Sequence, residues 1–164
     1  MFRGKSSEPP PQFAVEVLTA DYLIAGHISN NMAWHSPVEI EIAEAHYQPT
    51  GSMTLAAGVA PVFHVQQNAL VAIMPQDEAC ATDMLKIFLT KHPLKATMLV
   101  NHYRFSGTVF ATSDNLSTLT YADDILMQDA HIECLIAGAQ RKAWQAPLAL
   151  IYTRRMMQGL FAIG

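Results

Sequence analysis

The residues best equipped for chemistry in this chain are two basic pairs, Arg141-Lys142 and Arg154-Arg155, the second following Tyr152 and Thr153 directly. Guanidinium groups suit bidentate contacts to phosphate, and an aromatic ring beside them suits stacking of a nucleobase. Arg154, Arg155 and Tyr152 are therefore the candidate nucleic-acid-binding residues, with a plain solvated turn as the competing reading. Seven histidines invite a metal, and His46, His64 and His131 would be its ligands, but no HxH, HxxxH or HExxH spacing occurs. No metal or other cofactor is expected. Asp123-Asp124 could hold a cation or move protons, yet adjacent residues of a strand point to opposite faces, which favours a solvated turn. Neither GxSxG, nor a phosphate-cradling glycine motif, nor a cysteine in a recognisable catalytic setting is present. No catalytic residue is assigned, and the chain is not expected to be an enzyme.

Composition bounds the scaffold that would carry these groups. With 164 residues, 51% hydrophobic and 15% charged, the chain can bury a real core as one domain or two small ones sharing an interface. A formal charge of −4 and a pI near 5.9 give no overall attraction to phosphate, so nucleic acid would need a local basic patch and DNA is not expected. Cys80 and Cys134 lie far apart and outside any CxxC spacing, as buried thiols of a reducing, cytoplasmic compartment would, although one disulfide between them stays open. The first twelve residues contain a proline run and no apolar core of the kind a signal peptide requires, so export by that route is not expected. No stretch approaches the roughly 18 consecutive apolar residues of a membrane span, and a soluble protein is expected.

Along the chain, residues 1–12 read as a flexible lead-in. From Phe13 onward the apolar residues recur with period two, which predicts strands over 13–18 and 22–28. Val38-Glu39-Ile40-Glu41-Ile42 alternates carboxylates with β-branched residues and predicts a strand with an acidic outer face. Residues 49–58 suit a loop, and 62–73 two short strands around Gln66-Gln67-Asn68. Between 79 and 91 the period changes: Met84, Leu85, Phe88 and Leu89 predict a helix, with Thr82 or Asp83 as N-cap and Pro93 beyond its end. Its apolar stripe is expected at an interface between lobes. Strands follow over 96–111, 118–127, 131–136, 148–152 and 156–163, with a turn at 113–115.

The sequence also repeats itself. Residues 18–28 align without a gap on 99–109, keeping leucine, tyrosine and glycine in register as Leu18, Tyr22 and Gly26 against Leu99, Tyr103 and Gly107. Ala45-His46 then falls on Ala130-His131, and Ala60-Pro61 on Ala146-Pro147. Each half lays down the same succession of strands, the shared glycine allowing a sharp bend or a close backbone approach.

A strand carrying Tyr-x-x-x-Gly, two more strands, then a final pair around a short polar turn, with a helix ahead of the second copy, resembles the Sm-like fold. The resemblance implies a mostly β chain of two tandem, small, strongly bent β-barrels with a short connecting helix. Residues 13–78 would be the first module and 79–164 the helix plus the second. It also implies edge strands that pair between subunits into rings, and in many members RNA held by loops at the ring pore. The family's acidic residue and asparagine have no equivalent near Ile42 or Ile125. Its basic or polar residue in the last turn falls on Thr153-Arg154-Arg155 in the second copy and on Gln66-Gln67-Asn68 in the first. The expected function is non-enzymatic assembly or binding, with a second copy of the chain as partner through strand edges. RNA or single-stranded nucleic-acid binding is the alternative. A small-molecule enzyme with a pocket between lobes, using His46 or His131, is a second alternative.

Overall fold

The computed structural model describes residues 12–35, 37–51, 55–86, 92–111, 119–120, 122–154 and 157–162. They form β1 (Gln12–Thr19), β2 (Tyr22–Ser29), β3 (Glu39–Pro49), β4 (Gly58–Gln66), β5 (Leu70–Pro75), α1 (Glu78–Leu85), β6 (His92–Val100), β7 (Tyr103–Ala111), β8 (Asp124–Cys134), β9 (Ala143–Tyr152) and β10 (Met157–Ala162). The fold is mostly β, and no helix among the described residues is long and apolar enough to cross a membrane. All strands join one antiparallel sheet in the order β10-β6-β7-β8-β9-β5-β1-β2-β3-β4. The order within the first half, β4-β3-β2-β1-β5, recurs within the second as β9-β8-β7-β6-β10, and β5 joins β9 to link them.

Strand patterning follows burial. On β3, Ile40 and Ile42 are buried while Glu39 and Glu41 are exposed, the alternation of a strand with one wet face. By contrast β5, Leu-Val-Ala-Ile-Met-Pro, is buried at every residue because the sheet folds over both of its faces. Leu70 and Ile73 enter one core cluster, and Val71, Ala72 and Met74 the other. On β9, Leu148, Leu150 and Tyr152 face the first of these clusters and Ala149 and Ile151 the second. The linking strands thus carry two cores, one on each side.

The two aligned glycines sit at identical irregularities. The β2–β3 register shifts between Ala25 and His27, and the β7–β8 register between Ser106 and Thr108. Opposite each shift is a residue with a left-handed backbone, Glu44 (φ 51) and Asp129 (φ 52). These are β-bulges, which sharpen the bend of a sheet. A Cβ at Gly26 would lie 2.7 Å from the Ala43 carbonyl oxygen, and one at Gly107 2.7 Å from that of Gln128. Pairing carries the same equivalence outward, since Ala45 faces Ala60 on β4 and Ala130 faces Ala146 on β9.

Several sequence expectations are corrected. The helix begins earlier than predicted, capped by Asp77 rather than by Thr82 or Asp83. Asp77 accepts from the Cys80 N–H at 2.6 Å and from the Ala14 N–H at 2.7 Å, which fastens the helix to β1. Asp83 accepts from the Trp34 indole instead, at 2.7 Å. The helix ends at Leu85, Pro93 lies inside β6, and Phe88 and Leu89 lie outside the described residues. Met84 packs in the cluster that joins first-half residues to Leu126, Leu148 and Leu150, so this helix face covers ground where the halves meet. β8 is one strand rather than two, because the bulge at Asp129 interrupts its alternation without ending it. Leu119 and Thr120 form a helical turn, not a strand, and 113–115 lie outside the described residues. The loop expected over 49–58 does fall between strands, β3 ending at Pro49 and β4 beginning at Gly58, with 52–54 outside the described residues. Gln12 already belongs to β1, and the rest of the lead-in lies outside the described residues.

Candidate functional site

Of the proposed nucleic-acid-binding residues, Tyr152 is turned into the core, 6% exposed, and its hydroxyl donates to the Trp34 carbonyl at 2.8 Å. That placement leaves no ring face for a base to stack on. The pattern that marked Tyr152 as a stacking residue is the pattern of a β9 side chain filling the shared cluster. Arg154 is exposed, its Nε 3.7 Å from Asp123 Oδ1, and Arg155 lies outside the described residues. The turn itself is held by Thr153, whose N–H donates to the Asp123 carbonyl at 3.0 Å and whose hydroxyl donates to the Ala122 carbonyl at 2.6 Å.

The histidines are dispersed over the outer faces. His64 contacts Glu39 at 2.6 Å and Glu41 at 3.8 Å across β3 and β4, and His131 lies 3.4 Å from Glu133. His46 and His131 hold equivalent places beside the two bulges, opposite Ala25 and Ser106, and so stand on separate halves. Among the described residues no group of three or more His, Cys, Asp or Glu is arranged to hold a metal. Asp124 departs from the solvated turn expected of it: its side chain is nearly buried and meets His35 Nδ1 at 2.8 Å, a partner 89 positions away.

Cys80 and Cys134 are free and buried in different core clusters. Burial, with the charges of Asp77 and Asp83 adding to it, pushes the Cys80 thiol up from 9.0 to about 12. The thiolate is the reactive form, so native Cys80 should resist iodoacetamide at pH 8 and react only after unfolding; rapid labelling of the folded chain would contradict this. Burial also raises the Tyr103 and Tyr152 phenols above 10.0, the Thr50 hydrogen bond partly opposing the rise at Tyr103 and Asp124 adding to it at Tyr152. Because these folded values exceed the unfolded ones, stability is intact below about pH 9 and declines as the pH climbs through the raised values, Cys80 losing its contribution between about 9 and about 12.

Two arrangements were not legible in the sequence. The first is centred on Tyr103, fully buried, whose hydroxyl donates to the Thr19 and Ala20 carbonyls at 2.8 and 3.0 Å. A phenol has a single proton, so in the 2.6 Å contact with Thr50 it is the threonine that donates. One second-half side chain thereby ties together the β1–β2 turn and the end of β3. The second is a cleft of about 380 Å³ between the halves, lined by Gln48, Pro49 and Ala57 on one side and Gln140 and Arg141 on the other. Arg141 donates its backbone N–H to the Thr50 carbonyl at 3.2 Å, and its guanidinium carbon stands 5.1 Å from the Trp144 ring centroid.

No protein-family model, curated protein or solved structure matches the chain.

Proposed function

We propose that this chain is a non-enzymatic assembly protein, two Sm-like β modules in tandem, that joins other copies of itself head to tail through its free strand edges. The observation that carries the reading is the β5–β9 junction. β5 is the fifth strand of the first half, and β9 is the fourth strand of the second. The sheet ends on β10, the fifth strand of the second half, and β4, the fourth of the first. The edges left open among the described residues are thus the counterparts of the two that are already paired. Unpaired edges template further pairing unless blunted by charge or cover. β4 has His64 as its one ionisable side chain and exposes Val59 at 70% and Val62 at 47%.

The internal junction also supplies a register. Within it Ile73 faces Leu150 and Ala72 faces Ile151. Ile73 faces Val17 on β1, as Leu160 faces Met98 on β6; Leu150 faces Leu126 on β8, as His64 faces Glu41 on β3. Leu160 of one copy should therefore face His64 of the next. Contact between unlike surfaces gives a ring if the rotation closes and a filament if it does not. Residues directly opposite each other in an antiparallel pair have Cα atoms about 4.5–5.5 Å apart, within disulfide range. A chain carrying both His64→Cys and Leu160→Cys should therefore form a ladder of covalent oligomers on oxidation. The pair Gln66→Cys with Leu160→Cys, two residues out of register, should form far less. Absence of a ladder, or equal ladders from both pairs, would remove this mode of association.

The RNA reading is weaker, since Tyr152 is buried and Arg154 stands near a carboxylate. In the enzyme reading, neither His46 nor His131 lines the cleft at Arg141, and His131 instead lines a separate cavity of about 280 Å³ with Asp129, Gln145 and Pro147.

A further inference from the structure

We infer that the cleft at Arg141 is a binding site for a small molecule bearing an oxyanion, a carboxylate or a phosphate monoester. The chain has more acidic than basic residues, 14 Asp and Glu against 10 Lys and Arg. Of the three arginines among the described residues, Arg104 is paired with Glu133 at 2.8 Å and Arg154 lies 3.7 Å from Asp123. Arg141 makes no ion pair among the described residues and lines the cleft instead. A guanidinium with no ion pair among the described residues, set into a concavity of an acidic protein, offers a fork of donors that matches carboxylate and phosphate geometry.

The site is also held in place before any ligand arrives. Trp144 lies under the guanidinium and makes an edge contact with Tyr103, ring centroids 6.2 Å apart, and Tyr103 is itself anchored at Thr19, Ala20 and Thr50. The opposite wall, Gln48 and Pro49, leads into Thr50, which accepts the Arg141 N–H. A Cβ on Gly51 would collide with the Ile136 side chain, so the turn bearing Arg141 packs directly on the end of β3. Such prior ordering reduces what a ligand must fix on binding. Gln48, whose amide can donate to an oxyanion or accept from a neighbouring hydroxyl, lines the wall opposite Arg141. The volume lies at the small end of the range for ligand pockets, which suits a metabolite-sized anion and not a polymer. Cleft residues come from both halves, whereas the proposed assembly uses the outer edges, so the two inferences stand or fall separately.

The test is a ¹H–¹⁵N titration of the full chain with inorganic phosphate and, in a second series, with citrate, at ionic strength matched by sodium chloride. Saturable shifts concentrated at Gln48, Ala57, Gln140 and Arg141 are expected, with affinity falling about tenfold or more in Arg141→Gln, as loss of a charge-assisted bond implies. Arg141→Lys should fall between the two, keeping charge but losing the fork. A response to phosphate alone assigns the phosphate class, and one to citrate alone the carboxylate class. If Arg141→Gln does not fold, Gln48→Ala serves as the second variant, with weaker binding expected. Absence of saturable shifts with both anions, or unchanged affinity in these variants, would overturn the inference.

Discussion

Replacing Tyr103 with phenylalanine should lower the unfolding free energy by about 3 kcal/mol, although the change deletes a single oxygen. Removing that oxygen strands three groups: the Thr50 hydroxyl, which is buried, and the Thr19 and Ala20 carbonyls. A buried polar group left without a partner costs about 1–3 kcal/mol. Thr19 and Ala20 are only partly buried and recover some bonding from water, which keeps the sum near the lower bound for three groups. Tyr22 holds the equivalent place in the first half, yet its hydroxyl has no hydrogen bond among the described residues, and its ring simply meets the edge of Tyr47 at 5.7 Å. Tyr22→Phe is the matched control, expected within about 0.5 kcal/mol of the parent. Equilibrium urea unfolding decides between them: a lower midpoint at unchanged slope for Tyr103→Phe supports the assignment. Equal midpoints for the two variants would mean that the hydroxyl does not tie the halves together.

Alanine at Gly107 should cost a further class of stability, about 2–3 kcal/mol, through overpacking. Its Cβ would fall 2.7 and 3.0 Å from the Gln128 and Asp129 carbonyl oxygens and 2.9 Å from Met127 Cγ. A side chain can swing away from such a contact, but two backbone oxygens at a bulge cannot do so without unpairing β8. Gly26→Ala meets the same obstacle in the Ala43 carbonyl. Gly159→Ala is the control, because among the described residues its Cβ would find Leu99 at an ordinary 3.7 Å. Thermal unfolding that ranked Gly159→Ala with the other two would show that these glycines serve chain flexibility rather than close approach.

These glycines were also the part of the fold most legible in the sequence. Leu18, Tyr22 and Gly26 match Leu99, Tyr103 and Gly107 because the same bulge and strand crossing must be built in each half. The apolar alternation of Ile40 and Ile42 and the continuous run of β5 were readable for the same reason, since burial on one face or on two writes itself into the spacing. What could not be read was pairing between distant residues. Nothing near Asp124 announces His35, and nothing near Tyr103 announces Thr50. Arg154 and Tyr152 drew attention because basic and aromatic residues adjoined in sequence, whereas β9 ends at Tyr152 with its ring turned inward and the turn that follows leaves the arginine outside. Arg141 was visible as one of two basic pairs, but what distinguishes it, a place in a cleft with no ion pair among the described residues, exists only in space. The helix start was displaced because Asp77 has two backbone donors to satisfy, one of them on β1, and only the folded chain brings Ala14 within its reach.

The most direct test of head-to-tail assembly is a native mass spectrum of the untagged chain, recorded over a dilution series. The proposal predicts masses at whole multiples of the 18.0 kDa chain, converging on one closed ring or extending as a filament series. A lone 18.0 kDa species throughout the series would contradict it.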